Sequence, residues 1–354
     1  MKIAVAMSGG VDSSVAAALL KQEGHEVFGV TMQLCPTTDN GQNGRGLDAV
    51  EDARKVAARL EIPHYTIDLQ DYFSRVIIAD FCQEYSLGNT PNPCVMCNHY
   101  IKFGKLWEKA GEMGAEALAT GHYAGIERDS HGRYLLKKGK DPRKDQSYFL
   151  YLLKQEQLSR TLFPVGNLTK DTVRKIAGEL KLPVADRPES QEICFIPGGD
   201  YIPFLKAHAS TLPTDGPILD VKGNVVGQHE GIAFYTVGQR RGLGISASKP
   251  LYVTAIEPAR NAVIVGTKAQ TYTDALAADS LNWIAVPAPE KPFKVKASIR
   301  YHHPEADAVI TPRDEKSVYV KFAEPQMAVT PGQSVVFYDG DSVIGGGTII
   351  RQGR

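Results

Sequence analysis

The chain has 354 residues, of which 43% are hydrophobic and 23% charged, and its 40 basic side chains balance 40 acidic ones. This length allows two or three domains with their own cores, and the neutral balance excludes a uniformly basic, histone-like nucleic-acid binder, although local basic patches remain compatible with it. Five cysteines in so long a chain exclude a disulfide scaffold and leave thiol chemistry or metal binding in a reducing compartment.

Nothing in the sequence predicts a membrane span, because no run of about 18 apolar residues occurs. The first residues enter an apolar strand directly, without a charged and then apolar leader. We therefore expect a protein that works in the cytoplasm and has no membrane partner.

The first half of the chain alternates short apolar strands with helical patterns. The predicted elements are a strand over 2–7, a helix over 13–22, a strand over 25–32, a helix over 48–60, a strand over 63–69, a helix over 101–113 and a strand over 117–120. This alternation predicts βαβ units and therefore an α/β fold whose parallel sheet is covered on both faces.

The pattern changes after about residue 205, where long helices give way to turn pairs and short strands such as "GPILDVKGNVVGQHEG" and "SVVFYDG". Short strands at close spacing are typical of small barrels. We expect three domains, at 1–208, 209–273 and 274–354.

The loop "SGGVDSS" at residues 8–14 follows the first strand and opens the first helix. A helix N-terminus at the carboxyl end of a parallel strand binds anions through its free N–H groups, so the loop predicts a phosphate site. The lysine of a Walker loop is missing, and Asp12 beside an anion indicates a bound Mg²⁺. The alternative is a plain tight turn with a serine cap.

A second stretch, "GNTPNPCVMCN" at residues 88–98, presents Cys94 and Cys97 where a proline-rich loop enters a helix. A cysteine at a helix N-terminus has a lowered pKa and is nucleophilic. A redox pair, a zinc site completed by His99 and the distant Cys194, and inert buried thiols are weaker alternatives. A third stretch, "RPESQEICFI" at 187–196, places Cys194 among apolar residues. Taken alone, this pattern fits a buried strand residue as well as it fits a functional thiol.

Together with "ATGHYA", "KDQSYFLY", "LFPVG", "GQRRGLGI" and "TPGQSVVFY", these motifs resemble the bacterial tRNA-specific 2-thiouridylases of the N-type ATP pyrophosphatase superfamily. The resemblance spans nearly the whole chain in the right order. It implies a parallel-sheet ATP-pyrophosphatase domain (adenine nucleotide alpha hydrolase-like), then a small central β-rich domain that contacts tRNA, and a C-terminal β-barrel.

The resemblance also implies roles for individual residues. Cys97 is expected to be the nucleophile, and Cys194 to carry a persulfide. The residues expected to hold ATP are Ala6, Met7, Ser8, Gly9, Gly10, Val11, Asp12, Ser13, Met32 and Gly121. Those expected to meet tRNA are Asn92, Pro93 and Cys94 at the target base, with His122, Lys144, Asp145, Gln146, Arg300, Tyr301 and Gln333 around it.

The chemistry implied by the resemblance is thiolation of the wobble uridine in the tRNAs for Lys, Glu and Gln. ATP, with Mg²⁺, would convert the poor leaving group at uridine C2 into AMP, and sulfur would then attack C2. A persulfide sulfur-donor protein is the expected partner. Rival hypotheses are another ATP pyrophosphatase, such as an amidating ligase, and a non-catalytic RNA-binding or sulfur-relay protein.

Position 94 departs from the pattern, because many members carry aspartate where this chain has Cys94. The acid–base role assigned to that aspartate is therefore in doubt here. Three thiols, Cys94, Cys97 and Cys194, would be able to hold an iron–sulfur cluster as in related tRNA-thiolating enzymes, which is an alternative to the persulfide mechanism. We interpret Cys82 as a core residue and make no assignment for Cys35.

The basic run at 137–144, "KKGKDPRK", has two interpretations. Such runs are usually solvated hairpin lysines. Beside a nucleotide-binding domain, contact with RNA phosphates is the better hypothesis.

Overall fold

A computed structural model describes residues 1–35, 45–188 and 193–351. Its residues group into two compact units. The first comprises 1–77, 94–199 and 340–343, and the second comprises 78–93, 200–339 and the residues from 344 onward. Among the described residues, no helix is both long and apolar enough to cross a membrane.

The helices and strands alternate in the first half of the chain, and strands dominate the second half. The strands are β1 (Lys2–Ala6), β2 (Glu26–Gln33), β3 (His64–Asp68), β4 (Ala117–Thr120), β5 (Ala124–Arg128), β6 (Tyr134–Lys138), β7 (Thr161–Leu162), β8 (Gly216–Asp220), β9 (Val225–His229), β10 (Tyr252–Glu257), β11 (Ala262–Gly266), β12 (Tyr272–Trp283), β13 (Phe293–Ser298), β14 (Ala306–Pro312), β15 (Val318–Met327), β16 (Ser334–Asp339) and β17 (Ser342–Ile350). The α-helices are α1 (Val11–Gln22), α2 (Arg45–Arg59), α3 (Gln70–Phe73), α4 (Ala79–Ser86), α5 (Pro93–Met96), α6 (Trp107–Glu112), α7 (Gln155–Ser159), α8 (Lys170–Glu179) and α9 (Tyr201–His208).

The first unit is built on a five-stranded parallel sheet in the order β3-β2-β1-β4-β7. Ile3, Ala4 and Val5 of β1 are fully buried, because helices pack on both faces of the sheet. The chain runs outward from β1 to β2 and β3 on one side and to β4 and β7 on the other. The strand order therefore reverses between β1 and β4, the point at which parallel α/β sheets bind ligands.

The helix that follows Cys97 differs from the predicted one. A regular α-helix was expected over 101–113, but a π-helix covers Cys97–Leu106 and α6 continues from Trp107. Within this π-helix, an added Cβ on Gly104 would come within 3.0 Å of the His99 carbonyl oxygen. A π-helix pairs residue i with residue i+5, a register that no 3.6-residue pattern reveals, and it is frequent at functional sites.

The second unit contains two β structures, each with its own buried apolar cluster. A four-stranded sheet has the order β10-β11-β8-β9, and the six strands β12-β15-β14-β13-β16-β17 close into a barrel through the pairing of β12 with β17. These findings confirm the predicted fold class of a parallel-sheet domain, a small central β-rich domain and a C-terminal barrel. The domain boundaries near 208 and 274 remain predictions.

Candidate nucleotide and thiol site

The loop at 8–14 connects β1 to α1 at the switch point of the sheet. Gly10 caps α1, and Ser13 and Ser14 donate their hydroxyls to its carbonyl at 3.2 and 2.8 Å. Gly9 has φ +71°, and an added Cβ there would lie 2.5 Å from the Ala49 carbonyl oxygen. Glycine is thus required at this position both for its backbone conformation and for the close approach of α2.

Asp12, in the first turn of α1, is held by two partners that the sequence analysis did not identify. The Lys170 ammonium donates to its two carboxylate oxygens at 2.7 and 2.8 Å. The Tyr123 hydroxyl donates to Oδ1 at 2.7 Å. Lys170 is the first residue of α8 and is 95% buried. The cation that a Walker loop carries within itself is therefore supplied here from 158 residues away.

This pairing bears on the predicted Mg²⁺ site. Both Asp12 oxygens accept from Lys170, so a cation of the protein itself already neutralises this carboxylate. Within 1–35, 45–188 and 193–351, no group of three or more His, Cys, Asp or Glu side chains is arranged to hold a metal ion. The described residues therefore do not form a site for a cluster held by Cys94, Cys97 and Cys194, and a magnesium ion at Asp12 stays a prediction.

Arg187 ties the loop to a neighbouring helix. Its guanidinium donates to the Gly9 carbonyl oxygen at 3.1 Å and forms an ion pair with Asp52 of α2. Arg187 opens the motif that leads to Cys194, although 189–192 lie outside the described residues. The segment carrying the predicted persulfide cysteine is therefore anchored at its start to the predicted ATP loop.

The other residues expected to hold ATP lie around this loop. An added Cβ on Gly121, just after β4, would come within 2.5 Å of the Ser13 backbone nitrogen, so this glycine lets the β4 loop pack on α1. Met7 is 2% exposed and Val11 is 4% exposed, which leaves their backbone as the part able to meet a ligand. Ala6 ends β1, Ser8 is exposed, and Met32 is half-buried near the end of the adjacent β2.

The structure brings four of the five cysteines into one region of the first unit. Burial, with a smaller contribution from Cys194, raises the pKa of Cys97 to about 12 and that of Cys94 to about 11. Burial and then Cys194 also raise the pKa of Cys35 to about 11. Cys97 is buried, Cys94 and Cys35 are half-buried, and Cys194 is exposed. The thiols are therefore protonated at rest at neutral pH.

Lys102 lies among these thiols. Its positive charge lowers the pKa of Cys94, Cys97 and Cys194 against the effect of burial. Lys102 follows Cys97 by five residues, and the i to i+5 register of the π-helix places the two on neighbouring turns. A cation at this point favours the thiolate, which is the reactive form of cysteine.

His122, expected to contact tRNA, belongs to the same group of residues. The Lys102 ammonium donates to its Nε2 at 3.5 Å, and Nδ1 lies 2.7 Å from the Thr120 hydroxyl. Burial and then the Lys102 charge hold the His122 pKa well below its usual range. His122 is therefore a neutral imidazole that accepts from Lys102.

The buried residue next to Cys97 has an unmet hydrogen bond. Asn98 is 3% exposed, and its amide nitrogen donates to the Phe149 carbonyl at 3.2 Å. Its Oδ1 is buried and has no hydrogen-bond partner. Such an acceptor is costly and marks a place where a donor would be stabilised.

Two residues expected to meet tRNA, Asp145 and Gln146, also hold loops of the protein itself. Asp145 accepts from the backbone of Gly139 at 2.9 Å and from the Ser147 backbone and hydroxyl at 3.1 and 2.8 Å. Gln146 accepts from the Tyr123 backbone N–H at 3.0 Å. Both side chains therefore shape the loops next to the site, and contact with tRNA remains a prediction for them.

Two residues of the basic run at 137–144 are bound to other side chains of the protein. Lys137 pairs with Asp341 at 2.6 Å and donates to the Ser342 hydroxyl, and Arg143 binds Asp141 through two hydrogen bonds of 3.1 Å. Lys140 is exposed, and Lys144 is half-buried. Lys140 is therefore the lysine of this run that is most open to a phosphate, whereas Lys137 is bound within the protein.

The remaining residues expected to meet tRNA lie in the second unit. Arg300 donates to the Met327 carbonyl at 3.1 Å, and the rings of Tyr301 and His302 are 3.8 Å apart. Gln333 donates to the carbonyls of Thr90 and Pro91. Asn92 is half-buried, and Pro93 begins α5.

Three protein families match consecutive parts of the chain. The family described as "tRNA methyl transferase HUP domain" matches residues 1–198. The "tRNA methyl transferase PRC-barrel domain" matches 202–267, and the "Aminomethyltransferase beta-barrel domain" matches 273–349. The first of these matches alone covers more than half of the chain.

Full-length relatives agree in name. The chain is 50% identical to the tRNA-specific 2-thiouridylase MnmA of Geotalea uraniireducens, over 98% of this chain and 94% of that protein. It is 51% identical to the tRNA-specific 2-thiouridylase MnmA 1 of Caldanaerobacter subterraneus subsp. tengcongensis, over 100% and 99%. The chain belongs to the tRNA-specific 2-thiouridylase family. The family resemblance stated from the sequence motifs is thereby confirmed.

Sequence reasoning missed Lys170, Tyr123, Arg187 and Lys102 in this 2-thiouridylase. Tyr123 and Arg187 lie inside quoted motifs, and Lys170 is the first helical residue after the Thr169 cap of α8, but none of these local signals identifies a distant partner. The partners of Asp12 are far away in sequence and meet it only through the order of the strands.

Proposed function

We propose that this chain is an ATP-dependent tRNA 2-thiouridylase that adenylates the C2 oxygen of the wobble uridine and replaces it with sulfur. The observation that supports this best is one unit holding both an anion-binding loop with a buried lysine and a group of interacting thiols. The loop suits a nucleotide, and the thiols suit sulfur transfer.

The first step activates the uridine. Its C2 oxygen attacks the α-phosphorus of ATP, a new O–P bond forms, and the bond to pyrophosphate breaks. The N–H groups at the start of α1, with Ser8 and Ser13, hold the phosphate oxygens. Lys170, held in place by Asp12, supplies positive charge where negative charge grows on the leaving pyrophosphate.

The second step delivers sulfur. The terminal sulfur of a persulfide on Cys194 attacks C2, and the original oxygen leaves with AMP. The Cys97 thiolate then attacks Cys194 Sγ, forms a disulfide with it, and releases the sulfur on the base as 2-thiouridine. Reduction of that disulfide by a thiol and a new sulfur from a donor protein return the enzyme to its starting state.

Lys102 makes this second step workable at neutral pH. Burial disfavours the Cys97 thiolate, and the nearby ammonium partly restores it. Neutral His122 accepts from Lys102 and fixes the orientation of its ammonium group without adding a competing charge.

The remaining proposals concern partners. We expect tRNAs for Lys, Glu and Gln as substrates, contact of their phosphates by Lys140 and Lys144, and contact by Arg300 and Tyr301 through the barrel. The donor is a protein that carries a persulfide, and the reaction takes place in the cytoplasm. Mg²⁺ would enter the site bound to the phosphates of ATP.

Other functions fit less well. An amidating ATP pyrophosphatase has no use for interacting thiols near its nucleotide loop. A non-catalytic RNA-binding protein would not need a buried Lys170 on Asp12. A methyl transferase, the activity named in the family description, would need a methyl donor. The group of interacting cysteines suits sulfur transfer instead.

Cysteine variants test the proposal. Cys97→Ser and Cys194→Ser should each form no 2-thiouridine in tRNA, measured by mass spectrometry of digested nucleosides. Both should still bind ATP, because neither thiol belongs to the loop. Cys82→Ala is the matched control, since burial raises the pKa of this thiol on α4 without a contribution from the other cysteines, and the change should cost only about 1 kcal/mol of stability. Full thiolation by Cys97→Ser would refute the assignment.

A further inference from the structure

The turn between β15 and β16 is bonded to the backbone that precedes Cys94. Gln333 Nε2 donates to the Thr90 carbonyl at 2.8 Å and to the Pro91 carbonyl at 3.2 Å. In return, the Thr90 backbone N–H donates to the Pro331 carbonyl at 2.9 Å. Three hydrogen bonds thus join two short segments that are more than 200 residues apart.

The turn itself is fixed to the barrel. The Gly332 N–H donates to the Ile349 carbonyl at 2.8 Å, and the Ile349 N–H donates to the Gln333 carbonyl at 2.8 Å. Gly332 has φ +90°, and an added Cβ would lie 2.9 Å from the Thr90 nitrogen. The turn can approach Thr90 this closely only because residue 332 is glycine.

The other side of the same segment is also held. Arg351 donates to the Leu87 carbonyl at 2.9 Å, and the Asn89 amide donates to Glu84 at 2.7 Å. An added Cβ on Gly88 would lie 2.8 Å from Ile256 Cγ2. The backbone from 87 to 91 is therefore fixed by several independent contacts.

Proline chemistry explains why a glutamine is used. Pro91 and Pro93 have no N–H, and each forces the residue before it into an extended conformation. Their segment cannot be anchored through a regular hydrogen-bond ladder, so its carbonyls need outside donors. A glutamine amide has two N–H groups and can satisfy two successive carbonyls at once.

We propose that Gln333 is a positioning residue, through which the barrel fixes Thr90 and Pro91 so that Asn92, Pro93 and Cys94 meet the target uridine in a defined orientation. This rests on the proposed thiolation of uridine. It differs from the direct tRNA contact predicted for Gln333, because the side-chain nitrogen is already bonded to the protein. The barrel therefore acts on the rate of the reaction as well as on RNA binding.

Gln333→Glu tests this with little change in size, since it replaces the donating nitrogen by an oxygen that faces two carbonyls. We expect single-turnover thiolation at saturating tRNA to slow at least about tenfold, while the Kd for tRNA changes less than about twofold. Glu315→Gln, the opposite exchange at an exposed turn of the same barrel, is the control and should leave both values unchanged.

Amide hydrogen exchange gives a second readout that needs no activity. In Gln333→Glu, the peptide containing Thr90 should exchange faster, while peptides from β12 and β15 keep their protection. A Kd that rises about tenfold with an unchanged rate at saturating tRNA would overturn the proposal in favour of direct RNA contact. Unchanged exchange at Thr90 would also overturn it. A wild-type protein that forms no 2-thiouridine would instead contradict the proposed function. The exchange result would then still show whether Gln333 holds the segment at Thr90 and Pro91.

Discussion

Replacing Lys170 by methionine should separate the structural role of its ion pair from its role with ATP. The change keeps the length of the side chain and removes its charge, so Asp12 loses two hydrogen bonds of 2.7 and 2.8 Å. Removing one partner of a buried pair typically costs about 3–5 kcal/mol. Because the Asp12 side chain is 30% exposed and keeps the Tyr123 hydroxyl, we expect about 2 kcal/mol here.

The effect on chemistry should be larger than the effect on folding. Loss of one charged donor at a developing negative charge typically slows a reaction by about 10²–10³. The assay is single-turnover release of AMP from ATP with saturating tRNA, run beside chemical denaturation to measure the free energy of unfolding. Lys175→Met is the control, because Lys175 lies on the same helix and is 75% exposed. Lys170→Arg, which keeps the charge, should retain more activity than Lys170→Met.

The result that would refute this reasoning is specific. If Lys170→Met lowered the free energy of unfolding while AMP release stayed within about threefold of wild type, Lys170 would only stabilise the fold. If neither quantity changed, the ion pair with Asp12 would have no role in solution.

Three further predictions concern the thiols and the basic run. The rate of Cys97 alkylation should keep rising through the alkaline range without a plateau near pH 9, because burial raises the pKa of Cys97 to about 12. Lys102→Met should shift this pH–rate profile to still higher pH, because it removes the charge that favours the thiolate. Cys94→Asp should keep or improve thiolation if a persulfide carries the sulfur, whereas an enzyme that depends on a cluster would lose iron and activity together. Replacing both Lys140 and Lys144 by alanine should reduce the slope of log affinity for tRNA against log salt by about one to two units, and an unchanged slope would return these residues to a solvated hairpin.

Much of the fold could be predicted because it depends on local patterns. The alternation of strands and helices over 2–120 specifies a parallel sheet, and the loop at 8–14 falls at its carboxyl edge as expected. The helix after Cys97 could not be predicted in detail. Its π register pairs each residue with the one five positions further on, which leaves no trace in a 3.6-residue pattern.

Site residues could be predicted where a local motif marks them. They could not be predicted where their role depends on a partner that is distant in sequence. Cys97 and Cys194 were selected by motif, and the structure places them near each other. Asp12 was selected as a magnesium ligand, which stays a prediction, and its partner Lys170 was missed because the two meet only after β4 and α8 pack beside α1. Gln333 was selected for RNA contact, which stays a prediction, and its hydrogen bonds to the Thr90 and Pro91 carbonyls could not be predicted because more than 200 residues separate the two segments.

The oxygen that leaves the uridine tests the central claim most directly. tRNA whose target uridine carries ¹⁸O at C2 would be incubated with the enzyme, ATP and a persulfide donor, and the AMP examined by mass spectrometry. If the C2 oxygen attacks the α-phosphorus and departs when sulfur attacks C2, one ¹⁸O must appear in AMP for each 2-thiouridine formed, and none in pyrophosphate. Unlabelled AMP accompanying 2-thiouridine would contradict adenylation of the base.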